Sequence, residues 1–144
     1  MARKPRCTLP AEGVFHLCSR GVERRAIYLD DADRLLFLAL YRHALTRHRW
    51  EVMAYCLMTN HFHLVVSAPL ESIQRGMQLL KSRYGQAFNH RYARTGHLFQ
   101  GRFYAGYVEE AAVQTVCDYV LDNPIRAGVC NCRDDWPWLG PRYA

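Results

Sequence analysis

Two strand-like segments joined by a two-residue turn limit the folds that this chain can adopt. Residues 50–58 (WEVMAYCLM) form the first segment and residues 61–67 (HFHLVVS) the second, with Thr59 and Asn60 between them. Two apolar segments separated by so short a polar connection are typical of an antiparallel hairpin. The sequence therefore predicts a second and a third strand that lie side by side.

Helical segments flank this hairpin on both sides. Asp30 or Asp31 is expected to cap a first helix that runs to about His48. Pro69 ends the third strand, and Ser72 can cap a second helix with Gly96 as its stop. The apolar residues of this second helix recur on one helical face: Ile73, Met77, Leu80, Tyr84 and Ala87.

The remaining segments complete a recognisable order of elements. Residues 13–20 predict a first strand, and residues 102–108 predict a fourth strand at a sheet edge. A third helix is expected over about residues 109–122, ending before Pro124 because the residue preceding a proline avoids the helical conformation. The order predicts an α+β fold, a ferredoxin-like βαββαβ sandwich with an additional C-terminal helix.

Length and composition indicate one globular domain over residues 1–144, with a core at 13–123 and an irregular tail at 125–144. Half of the residues are hydrophobic, which excludes wholesale disorder. No apolar run approaches the ~18 residues of a membrane span. No apolar region follows the basic N-terminus, and the six cysteines include no C-x-x-C pair. We therefore expect a cytoplasmic protein with reduced thiols and no membrane association.

Positive charge is concentrated in one part of the chain, which has a net charge of +6. Between Ser72 and Val108 there is no acidic residue, and six Lys or Arg side chains alternate with seven aromatic rings. This mixture is typical of single-stranded nucleic-acid binding, although a solvated basic helix whose rings belong to the core would look similar. The expected phosphate contacts are Arg83, His90 and Arg94 along one side of the second helix and Arg102 at the start of the fourth strand, with His97 as a further candidate or a loop-packing residue.

His61 and His63 are the first candidates for chemistry. They flank Phe62 in a predicted strand, where alternate residues point to the same face with Cα atoms about 6.5–7 Å apart. Two imidazoles at this spacing can share a divalent metal ion. The H-x-H motif is weak by itself, and two hydrogen-bonded structural histidines explain these residues equally well.

The predicted third helix has a buried stripe formed by Val113, Val116, Cys117, Val120 and Leu121. Tyr119 lies about 130° from the middle of this stripe, and Asn123 follows one turn later on the same side. Both side chains are therefore free to contact a ligand. An ordinary amphipathic tyrosine at the edge of the core is the alternative interpretation.

Four sequence blocks carry a resemblance to a known family. They are FHLCSRGVERRAIYLDDADRLLFL, YCLMTN followed by HFHLVV, RTGHLFQGRF, and CDYVLDNPIRAG. Together, in this order and over about residues 13–138, they resemble the REP-associated tyrosine transposases, a single-tyrosine branch of the HUH transposases.

The resemblance implies a function and a role for each matching residue. His61 and His63 match the HUH pair, Tyr119 matches the nucleophile, and Asn123 matches the polar residue that completes the metal site. The implied activity is single-stranded DNA cleavage and strand transfer through a 5′-phosphotyrosine intermediate, which is DNA transposition on single-stranded or hairpin DNA. The implied cofactor is Mg²⁺ or Mn²⁺, although imidazole and amide donors would also suit Zn²⁺.

Two other functions remain open at this point. A non-catalytic module of the same fold would also bind single-stranded nucleic acid. A small metallohydrolase would use His61 and His63 with water as the nucleophile and would not need Tyr119. The joint presence of both histidines, Tyr119 and Asn123 favours the transposase, which could act as a monomer or as a homodimer.

Overall fold

The computed structural model describes residues 5–141. Its strands and α-helices are β1 (Glu12–Arg20), α1 (Asp31–His48), β2 (Glu51–Leu57), β3 (His61–Pro69), α2 (Leu70–Arg91), β4 (Tyr104–Val108), α3 (Val113–Leu121), α4 (Asn123–Arg126) and β5 (Leu139–Gly140). Within residues 5–141, no helix combines the length and the apolar character that a membrane span requires.

The five strands form one antiparallel sheet in the order β4-β1-β3-β2-β5. The hairpin of β2 and β3 is present, and β3 lies at the centre of the sheet between β1 and β2. The positions of β1 to β4 are those of a ferredoxin-like βαββαβ domain. The predicted α+β fold, with β4 on an edge and a further C-terminal helix, is confirmed.

Helices cover both faces of the sheet because side chains along β3 alternate between them. Phe62, Leu64 and Val66 enter the large core under α1 and α2. Val65 faces the other way, into a smaller apolar cluster with Cys117 and Val120 of α3. The predicted buried stripe of the third helix is therefore the face of α3 that contacts the sheet.

The start of α1 is tied to the end of α2. Asp30 caps α1 by accepting a hydrogen bond from the Asp33 backbone N–H at 3.0 Å, as expected from the sequence. Arg91 forms ion pairs with both carboxylates, each at 2.7 Å, and the Tyr92 hydroxyl donates to Asp33 at 2.7 Å. Arg91, one of the six cations of the acid-free stretch, therefore stabilises the fold.

The expected ends of α2 are wrong at both sides. The helix begins at Leu70 with Pro69 in the cap position, and the Ser72 hydroxyl instead donates to the His48 carbonyl. The helix ends at Arg91 and not near Gly96. Two residues later, Ala93 adopts a left-handed φ of 50°, which a continuing α-helix does not allow. Arg94 consequently lies beyond the helix and does not continue a row with Arg83 and His90.

The C-terminal part is more ordered than expected. After α3 ends at Leu121, a short helix resumes with Pro124 in its first turn, where a proline ring is tolerated. The expected irregular tail contains β5, which pairs with Tyr55 and Cys56 of β2. The tail supplies hydrogen-bond partners to an edge strand that would otherwise be unpaired.

A close approach of α2 to Trp50 predicts opposite effects for two glycines of that helix. A Cβ atom on Gly76 would lie 2.3 Å from the Trp50 ring, whereas the nearest atom to a Cβ on Gly85 is 3.8 Å away. We expect Gly76→Ala to lower the free energy of unfolding by about 1–3 kcal/mol through overpacking. Gly85→Ala should raise it by up to about 1 kcal/mol through helix propensity. Urea denaturation of both variants tests this, and equal changes would contradict it.

Candidate active site

A cleft of about 810 Å³ opens on the α3 side of the sheet. Its walls come from β1, β3, β4, α3, the start of α4 and three connecting segments. Its lining residues are His16, Cys18, Ser19, Arg20, Arg24, Asn60, His61, His63, Gln100, Gly101, Tyr104, Tyr119 and Asn123. The structure thus brings together the four residues predicted for catalysis and metal binding.

The hydrogen bonds of His61 define which of its nitrogens carries the proton. His61 Nδ1 lies 2.7 Å from Asn60 Oδ1, and the Asn60 amide nitrogen donates to the Arg24 carbonyl at 3.3 Å. The oxygen of Asn60 therefore faces the imidazole, so Nδ1 must be the donor. This leaves the lone pair of His61 on Nε2.

His63 is more deeply placed and contacts residues from two other elements. Its side chain lies opposite Cys18 of β1 and is only 8% exposed. His63 Nδ1 is 2.9 Å from His16 Nε2, and His63 Nε2 is 3.2 Å from the Asn123 amide nitrogen. Asn123 also adjoins His61 on the cleft wall, so its amide lies between the two imidazoles.

Burial keeps the three imidazoles of the cleft neutral at pH 7. Desolvation lowers the pKa of His16 to about 4. Desolvation, and then the neighbouring His16, His61 and Arg126, lower the pKa of His63 to about 3. Desolvation also lowers the pKa of His61. Neutral imidazoles are the form that binds metal ions.

The donor set fits a divalent cation only if an amide takes part. Within residues 5–141, no group of three or more His, Cys, Asp or Glu side chains is placed to hold a metal ion. His61 and His63 offer two neutral nitrogens, and the amide of Asn123 adjoins both. Two imidazoles with one carbonyl oxygen form an acceptable incomplete shell for Mn²⁺ or Mg²⁺, in which phosphate oxygens or water take the remaining positions.

Tyr119 stands beside these groups with its side chain 45% exposed. Its ring is almost perpendicular to that of His63, with 6.5 Å between centroids. The guanidinium carbon of Arg126 lies 3.8 Å from the centre of the Tyr119 ring, and Arg126 Nη2 donates to the Tyr119 carbonyl at 2.6 Å. The Arg126 guanidinium therefore packs over one face of the ring and places a positive charge against it.

Sequence reasoning missed Arg126 and His16. Arg126 follows Tyr119 by seven residues, which is two helical turns, so helical spacing was a usable signal. His16 lies in the first of the four resemblance blocks, but no spacing within the sequence relates it to His61 and His63. It joins the site because β1 pairs with β3 in a register that sets Cys18 opposite His63, and alternation then puts His16 on the same face.

The residues predicted to bind DNA lie elsewhere. None of Arg83, His90, Arg94, His97 and Arg102 is among the cleft residues. Arg83 and His90 are exposed on α2, which packs on the opposite face of the sheet. His97 lines a separate groove of about 350 Å³ that meets the cleft at Gly101, next to the exposed Arg102. The cations that do line the cleft are Arg20 and Arg24.

Most aromatic rings of the acid-free stretch belong to the core. Four of the seven are buried in the large core: Tyr84, Phe88, Phe99 and Phe103. Tyr104 lines the cleft. For the four buried rings, the alternative interpretation as core residues is correct, so most of this stretch does not offer stacking surfaces.

Residues 12–123 match the family described as "Transposase IS200 like". The match covers well over half of the sequence, and the chain therefore belongs to this transposase family. None of the curated proteins matches the chain.

Two solved structures share the fold. A REP-associated tyrosine transposase bound to a REP hairpin aligns with a TM-score of 0.71 and 19% identity, over 96% of this chain and 82% of that one. A candidate transposase from Deinococcus radiodurans R1 aligns with a TM-score of 0.54 and 19% identity, over 83% of this chain and 95% of that one. These alignments agree with the family assignment.

The lowered pKa values of His16 and His63 predict that acid destabilises the metal-free protein. Below pH about 6.5 the unfolded chain takes up protons that the folded protein does not, so the free energy of unfolding should fall as the pH drops. His63→Gln should make this fall shallower by about 1 kcal/mol per pH unit between pH 6.5 and 5. Urea denaturation in EDTA measures the effect. His43→Gln, on the exposed side of α1, should leave the slope unchanged, and equal slopes for all three proteins would contradict the assignment.

Proposed function

We propose that this transposase cleaves single-stranded DNA with Tyr119 as nucleophile and transfers the cut strand to a new 3′ end. The observation that carries the proposal is the convergence of Tyr119, His61, His63 and Asn123 on one cleft. These side chains come from β3, α3 and α4, which are separate in the sequence. A non-catalytic binding module would have no need for this convergence.

The proposed chemistry conserves bonds at phosphorus. The Tyr119 oxygen forms a bond to the scissile phosphorus, the phenolic proton is lost, and the bond to the 3′ oxygen breaks. That oxygen takes up a proton and leaves as a 3′-hydroxyl, while the 5′ side stays attached to Tyr119. Attack by another 3′-hydroxyl reverses the step on a new strand without ATP, because the phosphotyrosine is again a diester.

His61, His63 and Asn123 would hold Mg²⁺ or Mn²⁺, which when bound polarises the scissile phosphate and offsets its developing negative charge. The neutral imidazoles supply lone pairs without competition from protons. Arg126 restrains the Tyr119 ring through its guanidinium and its hydrogen bond to the Tyr119 carbonyl. The chain thus provides the orientation on which a weak nucleophile depends.

The proposed partner is single-stranded or hairpin DNA, in the cytoplasm. The REP-associated transposase of the same fold has been solved with a REP hairpin. In this chain Arg20 and Arg24 stand on the wall of the cleft, where a phosphate backbone would pass. The Arg20 guanidinium already donates to Gln100 at 3.2 Å, which keeps it at that wall.

The decisive test of the nucleophile is a labelled hairpin DNA incubated with the protein and Mn²⁺, then denatured. The wild type should give a covalent protein–DNA adduct, and Tyr119→Phe should give none while binding DNA within a few-fold, because the exposed ring contributes little to the core. Tyr107→Phe is the matched control, since Tyr107 is equally exposed at 46% but does not line the cleft. An adduct with Tyr119→Phe would contradict the proposal and make Tyr104 the candidate. Binding without any wild-type adduct would favour the non-catalytic module.

The path of the DNA can be followed through the salt dependence of binding. Arg20→Ala with Arg24→Ala should flatten the log–log slope by about 1.4, at about 0.7 per phosphate contact on a single strand. A similar change for Arg83→Ala with Arg94→Ala is expected if DNA also crosses the far side of α2. Replacement of Arg42 and Arg47, both exposed on α1, should leave the slope unchanged. An unchanged slope for the Arg20 and Arg24 pair would exclude this wall as the DNA path.

A further inference from the structure

We propose that His16 is a positioning residue that fixes the tautomer of His63, so that His63 presents the lone pair of Nε2 to the cleft. The proposal rests on the proposed function, because it concerns the same metal site. The HUH pair does not include His16, which lies 47 residues before His63 and reaches it from another strand.

The contact between the two imidazoles has the geometry of a hydrogen bond. His16 is only 7% exposed, and its Nε2 is 2.9 Å from His63 Nδ1. The ring planes are inclined by 22°, with centroids 5.1 Å apart. Rings whose nitrogens are this close can have such distant centroids only if they meet edge to edge. The N–H of one ring is therefore aimed at the lone pair of the other.

The direction of this hydrogen bond follows from the other side of His63. The Asn123 amide nitrogen lies 3.2 Å from His63 Nε2, and an amide nitrogen can only donate. His63 Nε2 must then be the acceptor, so its proton is on Nδ1 and His16 Nε2 accepts it. Without an acceptor at this position, His63 would be free to move the proton to Nε2 and block a metal ion.

His61 shows the same arrangement with a different acceptor. Asn60 Oδ1 takes the proton of His61 Nδ1, as His16 takes that of His63. Both histidines thus have Nδ1 occupied from behind and Nε2 available in front. Metal-binding imidazoles generally donate their second N–H to such a partner, and loss of the partner commonly weakens metal affinity 10- to 100-fold.

A direct role of His16 as a third metal ligand fits the geometry less well. Its Nε2 faces Nδ1 of His63 and not the Nε2 side where Asn123 and His61 meet. Within residues 5–141, His16, His61 and His63 do not form a group placed to hold a metal ion. His16 therefore acts on the site through His63.

The first arm of the test needs neither metal nor DNA. Two-bond ¹H–¹⁵N NMR correlations of ¹⁵N-histidine protein in EDTA report the tautomers directly. In the wild type we expect the proton of His63 on Nδ1 and an unprotonated Nε2 on His16. In His16→Phe the proton of His63 should shift towards Nε2. A wild-type His63 protonated on Nε2 would overturn the proposal, whatever the fate of the proposed catalytic activity.

The second arm measures Mn²⁺ affinity by calorimetry. His16→Phe should bind Mn²⁺ about 10- to 100-fold more weakly than the wild type. His16→Gln keeps a hydrogen-bond acceptor and should stay within a few-fold. Equal affinity of the wild type and His16→Phe, or equal loss in both variants with the fold intact, would overturn the positioning role.

Two further outcomes distinguish a failure of the proposed metal site from a failure of the proposed role of His16. If the wild type itself binds no Mn²⁺, the proposed metal site and this role of His16 are both wrong, although the NMR arm still decides the hydrogen bond. If His16→Phe does not fold in EDTA, wild-type tautomers and His16→Gln affinity decide the question. A purely structural role would lower the unfolding temperature of both variants without moving the His63 proton.

Discussion

The pairing of β3 with β1 in a single register determines both the core and the site. Alternation along β3 sends Phe62 and Leu64 into the large core and His61 and His63 to the opposite face. A slip by one residue would bury the imidazoles under α1 and α2 and expose the apolar side chains. The hydrophobic effect that folds the sheet therefore also places the histidines. The same register brings His16 to His63 from a distant part of the chain.

Polar groups in the sheet face are tolerated because they satisfy one another. Hydrogen bonds join Asn60 to His61, Asn123 to His63 and His63 to His16, and so connect a turn, two strands and a helix. Each link removes the desolvation penalty of an unpaired buried group. Since every member is neutral, the network needs no counter-ion and stays free of acidic residues that would repel a phosphodiester.

The sequence was sufficient for what depends on local periodicity. Strand alternation and the Thr59–Asn60 turn predicted the hairpin, and helical spacing placed Tyr119 and Asn123 on one side. It was insufficient where a distant part of the chain decides the outcome. The end of α2 depends on ion pairs of Arg91 with α1, and β5 exists because β2 offers an unpaired edge. His16 likewise becomes informative only once the register of β1 and β3 is known.

The two apolar clusters of the protein differ greatly in extent. Most of the large side chains hold α1 and α2 to the sheet, whereas α3 is held mainly by Cys117 and Val120 against a few residues of β2, β3 and β5. Segments with so small a share of the buried surface open at a lower free energy than the whole molecule. Tyr119 therefore lies on a helix held by the smaller cluster, and the amide protons of α3 should exchange with solvent before those of β3. The sheet with α1 and α2 and the helix that carries Tyr119 thus differ in how much buried surface holds them within one domain.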